Sequence, residues 1–228
     1  MPVVITYKQV FGVDLGDEVQ ESHGVTYTAC PAAGSLRKQL FKTSYYTQNA
    51  SKVQGVGPLF VDWGNGLLKH EFNRHHAGLA VDIMLSQKTE VPLGHALVLA
   101  LNRLGTVMKW RSIIYQDVTI NLNSNGSRTP SGYTDGGHDD HIHVDWFQAK
   151  PNVHWQNITD VPLRRLNGNV VTMKAKNGSS IAVSIEWTSE AANVFENDPT
   201  VAQELAKVTS DFQSGQLQAL DLKKALGI

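Results

Sequence analysis

The sequence predicts an α+β fold with a central antiparallel sheet, flanking helices, and a C-terminal hairpin with further helices. The run 79–85 is almost entirely apolar, as in a buried strand, and residues 141–146 alternate between polar and apolar side chains. Within 92–104, leucine and alanine recur at the spacing of one helix face, and Gly105 follows as a helix-ending residue. These segments together indicate a helix packed on one side of a sheet.

The other elements before residue 150 follow from cap and turn residues. A short helix is expected over 35–46, because a serine stands where a helix cap belongs. The segment 107–120 is rich in strand-forming residues, with an apolar centre at 113–115. Residues 121–137 are predicted to form a long polar loop that leads into the strand at 141–146.

The character of the sequence changes after Pro151. Asn177 and Gly178 favour a tight hairpin turn, and the segments 170–174 and 181–187 on either side are expected to pair. Helices are then predicted to start at three points: Thr188, Asp198 (reaching Val208) and Leu217 (reaching Leu226).

Length and composition limit the class of protein. The chain has 228 residues, which suits one medium domain with a small appendage. We place the boundary so that 1–150 is the main domain and 151–228 is a C-terminal hairpin and helical extension. Hydrophobic residues make up 41% and charged residues 18%, so the chain can build a core. The net charge of −1 gives no electrostatic reason to expect nucleic acid or an anionic membrane as a partner.

Cysteine content and the chain start narrow the options further. The single cysteine, Cys30, excludes an intramolecular disulfide and a thiolate zinc cluster, so any metal must use histidine and carboxylate ligands. No segment approaches the ~18 apolar residues of a membrane span, and the first residues do not resemble a secretory signal. Three routes stay open: work in the cytosol, export without a signal peptide, or prior removal of a signal.

Two short segments, 75–82 and 138–145, concentrate side chains that bind metals. His141 and His143 alternate with apolar residues, so their imidazoles point to the same face of the predicted strand. Two imidazoles on one face, together with a histidine and an aspartate from the first segment, would make a zinc site with an open position. The central sheet is therefore predicted to carry a single zinc site.

These segments resemble those of a known family. The spacing His75-x-x-Gly78-x-Ala80-x-Asp82 resembles the first motif of the LAS metallopeptidases, which include lysostaphin-type enzymes, D-Ala-D-Ala peptidases and the sonic hedgehog domain. The run 78–83 and the pattern His-x-x-His-x-His at 138–143 are similar to the penicillin-insensitive murein endopeptidases. The resemblance covers roughly residues 70–147.

The resemblance implies a role for each residue. One zinc ion would be bound by His75, Asp82 and His143, with water as the fourth ligand. Asp140, three positions before the last zinc histidine, would be the general base. His141 would be the second catalytic residue, orienting water or stabilising the oxyanion, and His138 would be the third.

The residues next to the first zinc histidine are candidates for contacts with the substrate. Many relatives carry serine two residues before the first zinc histidine, where this chain has Asn73, followed by Arg74. We assign both residues to substrate binding. The arginine that some relatives direct at the oxyanion has three candidates here: Arg37, Arg74 and Arg111.

For several other residues the sequence leaves two roles open, one structural and one functional, and for others only a structural role is expected. Asp145 is either a structural residue of the strand face or a carboxylate that orients a ligand imidazole. Three tryptophans are core residues or line a substrate groove: Trp63, Trp146 and Trp155. His76 could compete with His75 as a ligand, but only His75 fits the offsets of the motif, so His76 is otherwise a flanking polar residue. The remaining histidines are expected to be ordinary surface or partly buried residues: His23, His70, His95 and His154.

The resulting functional hypothesis is a zinc-dependent peptidoglycan hydrolase. It would cleave a peptide bond in murein stem or cross-link peptides as a D,D- or L,D-endopeptidase or carboxypeptidase, with residues 1–150 as its catalytic domain. One alternative is a zinc-containing binding domain without activity, similar to hedgehog. Another is an iron oxygenase with two histidines and one carboxylate, although such sites usually have His-x-Asp spacing.

Compartment and partners follow from the hypothesis. Peptidoglycan lies outside the cytosol, so a protein made in the cytoplasm without a signal peptide would reach the periplasm or cell wall by non-classical delivery. A phage endolysin or a secreted antibacterial effector would fit. Residues 151–228 would then serve wall binding, delivery or packing, and the expected partners are peptidoglycan peptides, an immunity protein, or a secretion or phage delivery component. No nucleic acid and no membrane span are expected.

Overall fold

The structure, a computed structural model, describes residues 19–21, 29–54, 74–75, 78–134, 136–147, 156–157, 169–175, 180–185 and 187–228. The chain forms two compact units. One contains a four-stranded sheet, and the other contains a six-stranded sheet together with the helices. The α+β class and the antiparallel sheet predicted from the sequence are confirmed. None of the helices in the described ranges is long and apolar enough to cross a membrane.

The four-stranded sheet has the order β1-β9-β10-β8 and is antiparallel. Its strands are β1 (Val19–Glu21), β8 (Gln156–Asn157), β9 (Asn169–Ala175) and β10 (Ser180–Ile185). Strands β9 and β10 pair over their length, with Val171 opposite Val183. This pairing confirms that the segments predicted on either side of the turn are paired strands, while Asn177 and Gly178 themselves lie outside the described residues.

The six-stranded sheet has the order β2-β3-β7-β4-β5-β6, and each neighbouring pair is antiparallel. Its strands are β2 (Val53–Gln54), β3 (Ala80–Met84), β4 (Ser112–Tyr115), β5 (Val118–Leu122), β6 (Arg128–Gly132) and β7 (His141–Asp145). Strand β3 confirms the strand predicted from the apolar run at 79–85, and strand β7 confirms the strand predicted from the alternation at 141–146. They lie side by side inside the sheet, with one strand (β2) on the outer side of β3 and three strands (β4, β5 and β6) on the outer side of β7.

Strand β6 lies in the stretch predicted to be a loop, and that prediction was wrong for Arg128–Gly132. Its sequence is polar and contains Pro130, because an edge strand with one free side need not bury an apolar face. Backbone pairing with β5, such as Thr119 opposite Ser131, holds it in the sheet.

The helices belong to the second unit: α1 (Pro31–Phe41), α2 (Ser44–Gln48), α3 (Val91–Arg103), α4 (Gly105–Met108), α5 (Pro199–Gln213) and α6 (Leu222–Leu226). Helix α3 confirms the predicted helix, although Gly105 begins a further short helix as well as following the first. Helix α5 begins after Asp198 as predicted, because the Asp198 carboxylate accepts hydrogen bonds from the N–H groups of Thr200 and Val201.

Three helix predictions need correction. The first helix begins at Pro31 and not at Ser35, because proline is tolerated at a first helical position and the Cys30 sulfur accepts from the N–H of Ala33. The sequence after Thr188 forms turns and not a helix. The last helix is shorter than expected, beginning only at Leu222 after the Asp221 cap.

Helix α3 covers one face of the six-stranded sheet. Its Gly94 lies against Tyr115 of β4, so closely that an added Cβ would stand 2.5 Å from the tyrosine oxygen. Tyr115 shares its face with Ile113, which pairs with Val144 of β7. Ile113 is 1% exposed and Val144 is fully buried. This face is therefore the core, and the alternate residues of the same strands point away from it.

The C-terminal residues contribute to the second unit. Val201 and Leu205 of helix α5 are fully buried, and Ser189–Ile228 belongs to the same compact unit as Leu79–Phe147. The compact units thus follow a different division from the sequence boundary near residue 150. Whether residues 151–228 function as a separate extension stays a prediction.

His95 and Trp146, two residues whose roles were considered from the sequence, are both buried. His95 is 5% exposed, and so more buried than expected, and both ring nitrogens have partners: its Nε2 lies 3.1 Å from Gln116 Oε1, and its Nδ1 accepts from the N–H of Leu220 at 3.1 Å. Trp146 is fully buried and donates to the carbonyl of Met108 at 2.9 Å, so it is a core residue.

Candidate metal centre

Strand pairing brings two of the predicted ligands together. Asp82 of β3 stands directly opposite His143 of β7, and antiparallel neighbours at opposite positions have their side chains on the same face. His143 Nδ1 lies 3.1 Å from Asp82 Oδ1. Both side chains lie on the face opposite Val144, away from helix α3.

His75 lies in a turn shortly before β3. The N–H of Gly78 donates to the His75 carbonyl at 2.9 Å, and Gly78 has a φ of 70°, a left-handed conformation that favours glycine. His75, Asp82 and His143 each offer a ligand atom, and these atoms lie within 4.8 Å of one another. Among the residues that the structure describes, these three side chains form the cluster that could hold a metal ion.

A buried carboxylate lies behind His143. Asp145, fully buried, has its Oδ2 3.4 Å from His143 Nε2. Arg111 donates to it through two nitrogens, from Nε to Oδ1 at 2.7 Å and from Nη2 to Oδ2 at 2.6 Å. Ser112 donates to Oδ1 from its N–H at 3.2 Å and from its hydroxyl at 3.0 Å. Of the two interpretations of Asp145, the geometry favours the carboxylate, which faces an imidazole of the cluster that could hold a metal ion.

Charge at this position favours a cation. Burial by itself lowers the pKa of His143, but hydrogen bonds and negative charge from Asp145 and Asp82 outweigh burial and raise that pKa to about 9. The raised pKa means that the two carboxylates stabilise the positive charge of protonated His143. A metal ion bound to the ligand atoms would meet the same carboxylates and would compete with that proton.

The residues predicted to be catalytic lie beside the cluster. His141 Nδ1 is 2.7 Å from Asp140 Oδ1, and His141 Nε2 is 3.9 Å from Asp82 Oδ1. The His138 ring centroid lies 4.8 Å from that of His141 and 5.6 Å from that of His143. The Asp140 side chain is 55% exposed and that of His141 only 17%. The histidine, more than the aspartate, is therefore the group enclosed near the ligands.

Sequence reasoning missed two side chains here. Ser112 becomes visible only when β4 is known to pair with β7, since it then stands opposite Asp145. Tyr133 lies with its ring centroid 5.5 Å from that of His138, and no pattern in the polar stretch 121–137 distinguishes it.

The three candidate arginines lie within the described residues, whereas several other residues singled out from the sequence do not. Arg74 is described, half-buried and next to His75, while Arg111 is engaged with Asp145 and Arg37 lies in helix α1. Four of the residues singled out from the sequence around the site or as groove candidates lie outside the described residues: Trp63, Asn73, His76 and Trp155.

Comparison with known proteins does not identify a family for the chain. No family model, curated protein or solved structure matches the chain. The site is therefore characterised by its own chemistry: two imidazoles and one carboxylate, a donor set that suits zinc and also some iron sites.

Proposed function

We propose that the protein is a zinc-dependent hydrolase that cleaves a peptide bond in peptidoglycan. The observation that carries this proposal is the meeting of His75, Asp82 and His143 beside the hydrogen-bonded pair Asp140 and His141. A metal-ligand cluster alone fits a structural site, whereas an adjacent acid–base pair fits a reaction.

Zinc is the metal proposed for this cluster. Three protein ligands leave a coordination position open, as in catalytic zinc sites, and the two histidines and one aspartate supply the usual donor atoms. When bound, zinc polarises a carbonyl and lowers the pKa of a water molecule to about 7. The spacing of seven residues between the first histidine and the aspartate differs from the His-x-Asp motif of iron oxygenases.

We assign proton transfer to His141, with Asp140 as its partner. Asp140 lies at Nδ1 of that imidazole, so the proton is held there and Nε2 can act as a base. His141 would accept a proton at Nε2 from the attacking water while the water oxygen bonds to the carbonyl carbon. The proton would then go to the amine as the C–N bond breaks. This reverses the order expected from the sequence, in which Asp140 came first.

The substrate class rests on the resemblance of the two motifs to murein endopeptidases and related enzymes. The proposed bonds are those of stem or cross-link peptides, by D,D- or L,D-cleavage. We further propose Arg74, adjacent to a zinc ligand, as a contact for the substrate or the developing oxyanion. Delivery as a phage endolysin or secreted effector, and an immunity protein as partner, belong to the same proposal.

Digestion of purified sacculi tests the function. Zinc-loaded protein is expected to release muropeptides whose masses, determined by mass spectrometry, identify the bond cut. His143→Ala should abolish release, and His141→Ala should reduce its rate by about 10²–10⁴-fold, the usual contribution of a general base. Asp140→Asn should have a smaller effect if Asp140 only orients His141.

The matched control is Asp139→Asn, which makes the same change at an exposed neighbour and should leave the rate unchanged. A larger loss for Asp140→Asn than for His141→Ala would restore Asp140 as the base. Stoichiometric zinc without any release of products would contradict the hydrolase and favour the inactive binding domain.

A further inference from the structure

Asp145 is the most enclosed charged side chain at the metal centre. It is fully buried, and an unpaired carboxylate in that position would be very unfavourable. Arg111 compensates the charge through a two-point contact, and Ser112 contributes two more donors to Oδ1. A carboxylate bound in this way cannot rotate freely, so the directions in which its two oxygens face are defined.

The backbone reinforces this orientation. Ser112 and Asp145 are paired residues of β4 and β7, and the N–H of Arg111 donates to the Asp145 carbonyl at 2.6 Å. The carboxylate and its donors therefore belong to two strands in the interior of the sheet. The Oδ2 atom is left directed at Nε2 of His143, 3.4 Å away.

A neutral imidazole carries its proton on one nitrogen and a lone pair on the other, and only the lone pair binds a metal. The two nitrogens of His143 have different neighbours: Asp145 at Nε2, and the ligand Asp82 at Nδ1. We propose that Asp145, held by Arg111 and Ser112, is a positioning residue that keeps the proton of His143 on Nε2 and so presents Nδ1 to the metal. This inference rests on the metal site of the proposed function but not on its substrate.

A purely structural role makes different predictions. If the Arg111–Asp145 pair only joined β4 to β7, its loss would lower the stability of the fold and leave the bound metal unchanged. If Asp145 positions His143, its loss also changes the affinity for metal and the nitrogen that binds it. Metal affinity and the state of the imidazole therefore distinguish the two roles.

The first measurement is zinc affinity in the full-length protein, by competition with a chromophoric chelator. Asp145→Asn removes the charge while keeping the size, and we expect zinc to bind about 10–100-fold more weakly, as for other partners of ligand histidines. Glu204→Gln is the matched control. It breaks the Arg103–Glu204 contact, another arginine–carboxylate pair with a distance of 2.8 Å, and should leave zinc affinity unchanged.

The second measurement is nitrogen NMR of the histidine side chains in zinc-loaded wild type, with His143→Ala used to assign the signal. We expect His143 to have metal on Nδ1 and a proton on Nε2. Metal on Nε2 would overturn the proposal without the need for any variant. If Asp145→Asn does not fold, Arg111→Lys keeps the charge but loses the two-point contact, and a several-fold loss of zinc affinity is expected.

Failure of this inference is distinct from failure of the proposed function. Unchanged zinc affinity in folded Asp145→Asn, with sacculi still cleaved by wild type, would refute the positioning role alone. Wild type that binds zinc through Nδ1 of His143 but releases nothing from sacculi would refute the hydrolase and leave the positioning role standing.

Discussion

The two faces of strand β7 differ in what they contribute. On one face, Ile142 and Val144 are fully buried beneath the layer that contains helix α3. On the other, His141, His143 and Asp145 form hydrogen bonds with carboxylates and an arginine. Five consecutive residues thus divide their roles by strand alternation, one face for the apolar core and the other for chemistry.

Because the two faces contribute differently, stability and metal binding should be separable in this molecule. Burial of apolar area stabilises the first face in proportion to the area removed from water. The second face gains little from burial, since buried polar groups need hydrogen bonds merely to offset their desolvation. Substitutions on the two faces should therefore change different measured quantities.

The largest effect on unfolding is expected from Ile142→Ala on the apolar face. Ile142 pairs with Ile83, which is also fully buried, so truncation leaves a cavity that neighbouring residues cannot fill. The free energy of unfolding should fall by about 2–5 kcal/mol in urea denaturation without metal. Zinc affinity of the folded variant should match that of wild type. Val194→Ala, at a side chain 56% exposed, is the control and should change stability by less than about 0.5 kcal/mol.

The next effect belongs to the polar face and requires metal. Zinc at 100 times its dissociation constant should stabilise wild type by about 2.7 kcal/mol, which appears as a rise in melting temperature. His143→Ala removes a ligand and should lose this increment. Ile142→Ala, although less stable at the start, should retain it in full. The same zinc-dependent rise in His143→Ala as in wild type would contradict the assignment of His143 as a ligand.

The sequence sufficed for features that depend on local spacing. Alternation identified the face shared by His141 and His143. The resemblance of the motif around Gly78 to that of a known family implied, before any strand pairing was known, that His75 and Asp82 lie close together. The left-handed turn at Gly78 gives a physical reason for that glycine.

Features that depend on pairing between distant segments were not predictable. Arg111 and Asp145 meet only because β4 pairs with β7, and nothing local in 107–120 indicates that neighbour. Likewise, Arg128–Gly132 has no apolar period, since it is held at the sheet edge by backbone pairing with β5 and by the Arg128 side chain, which donates to the carbonyl of Asn102. The exposure of Asp140 relative to His141, which reverses their proposed roles, also requires the folded arrangement.

Glu90, a buried carboxylate in the helical layer, lies outside the metal cluster, and its effect on stability should depend on pH. Glu90 precedes helix α3 and accepts hydrogen bonds from Tyr45, from Lys52 and from the N–H of Ser86. Burial by itself raises the pKa of Glu90, but these hydrogen bonds and the Lys52 charge outweigh burial and hold that pKa below its usual value. Unlike Asp145, this carboxylate faces no imidazole among the contacts described.

The smallest expected effect therefore comes from Glu90→Gln. A carboxyl whose pKa is lowered by folding contributes stability above its unfolded pKa, about 4.3, and this contribution is lost as pH falls through the lower folded pKa. At neutral pH the variant should be less stable by about 1.5–3 kcal/mol, the usual value for a hydrogen bond to a charged group, and its stability should fall less steeply in acid. Glu196→Gln, which breaks an exposed pair with Lys38, is the control and should keep the wild-type slope. Zinc affinity should be unchanged in both variants. A loss of zinc binding in Glu90→Gln would show that the helical layer and the metal face are coupled, against the separation that the two faces of β7 indicate.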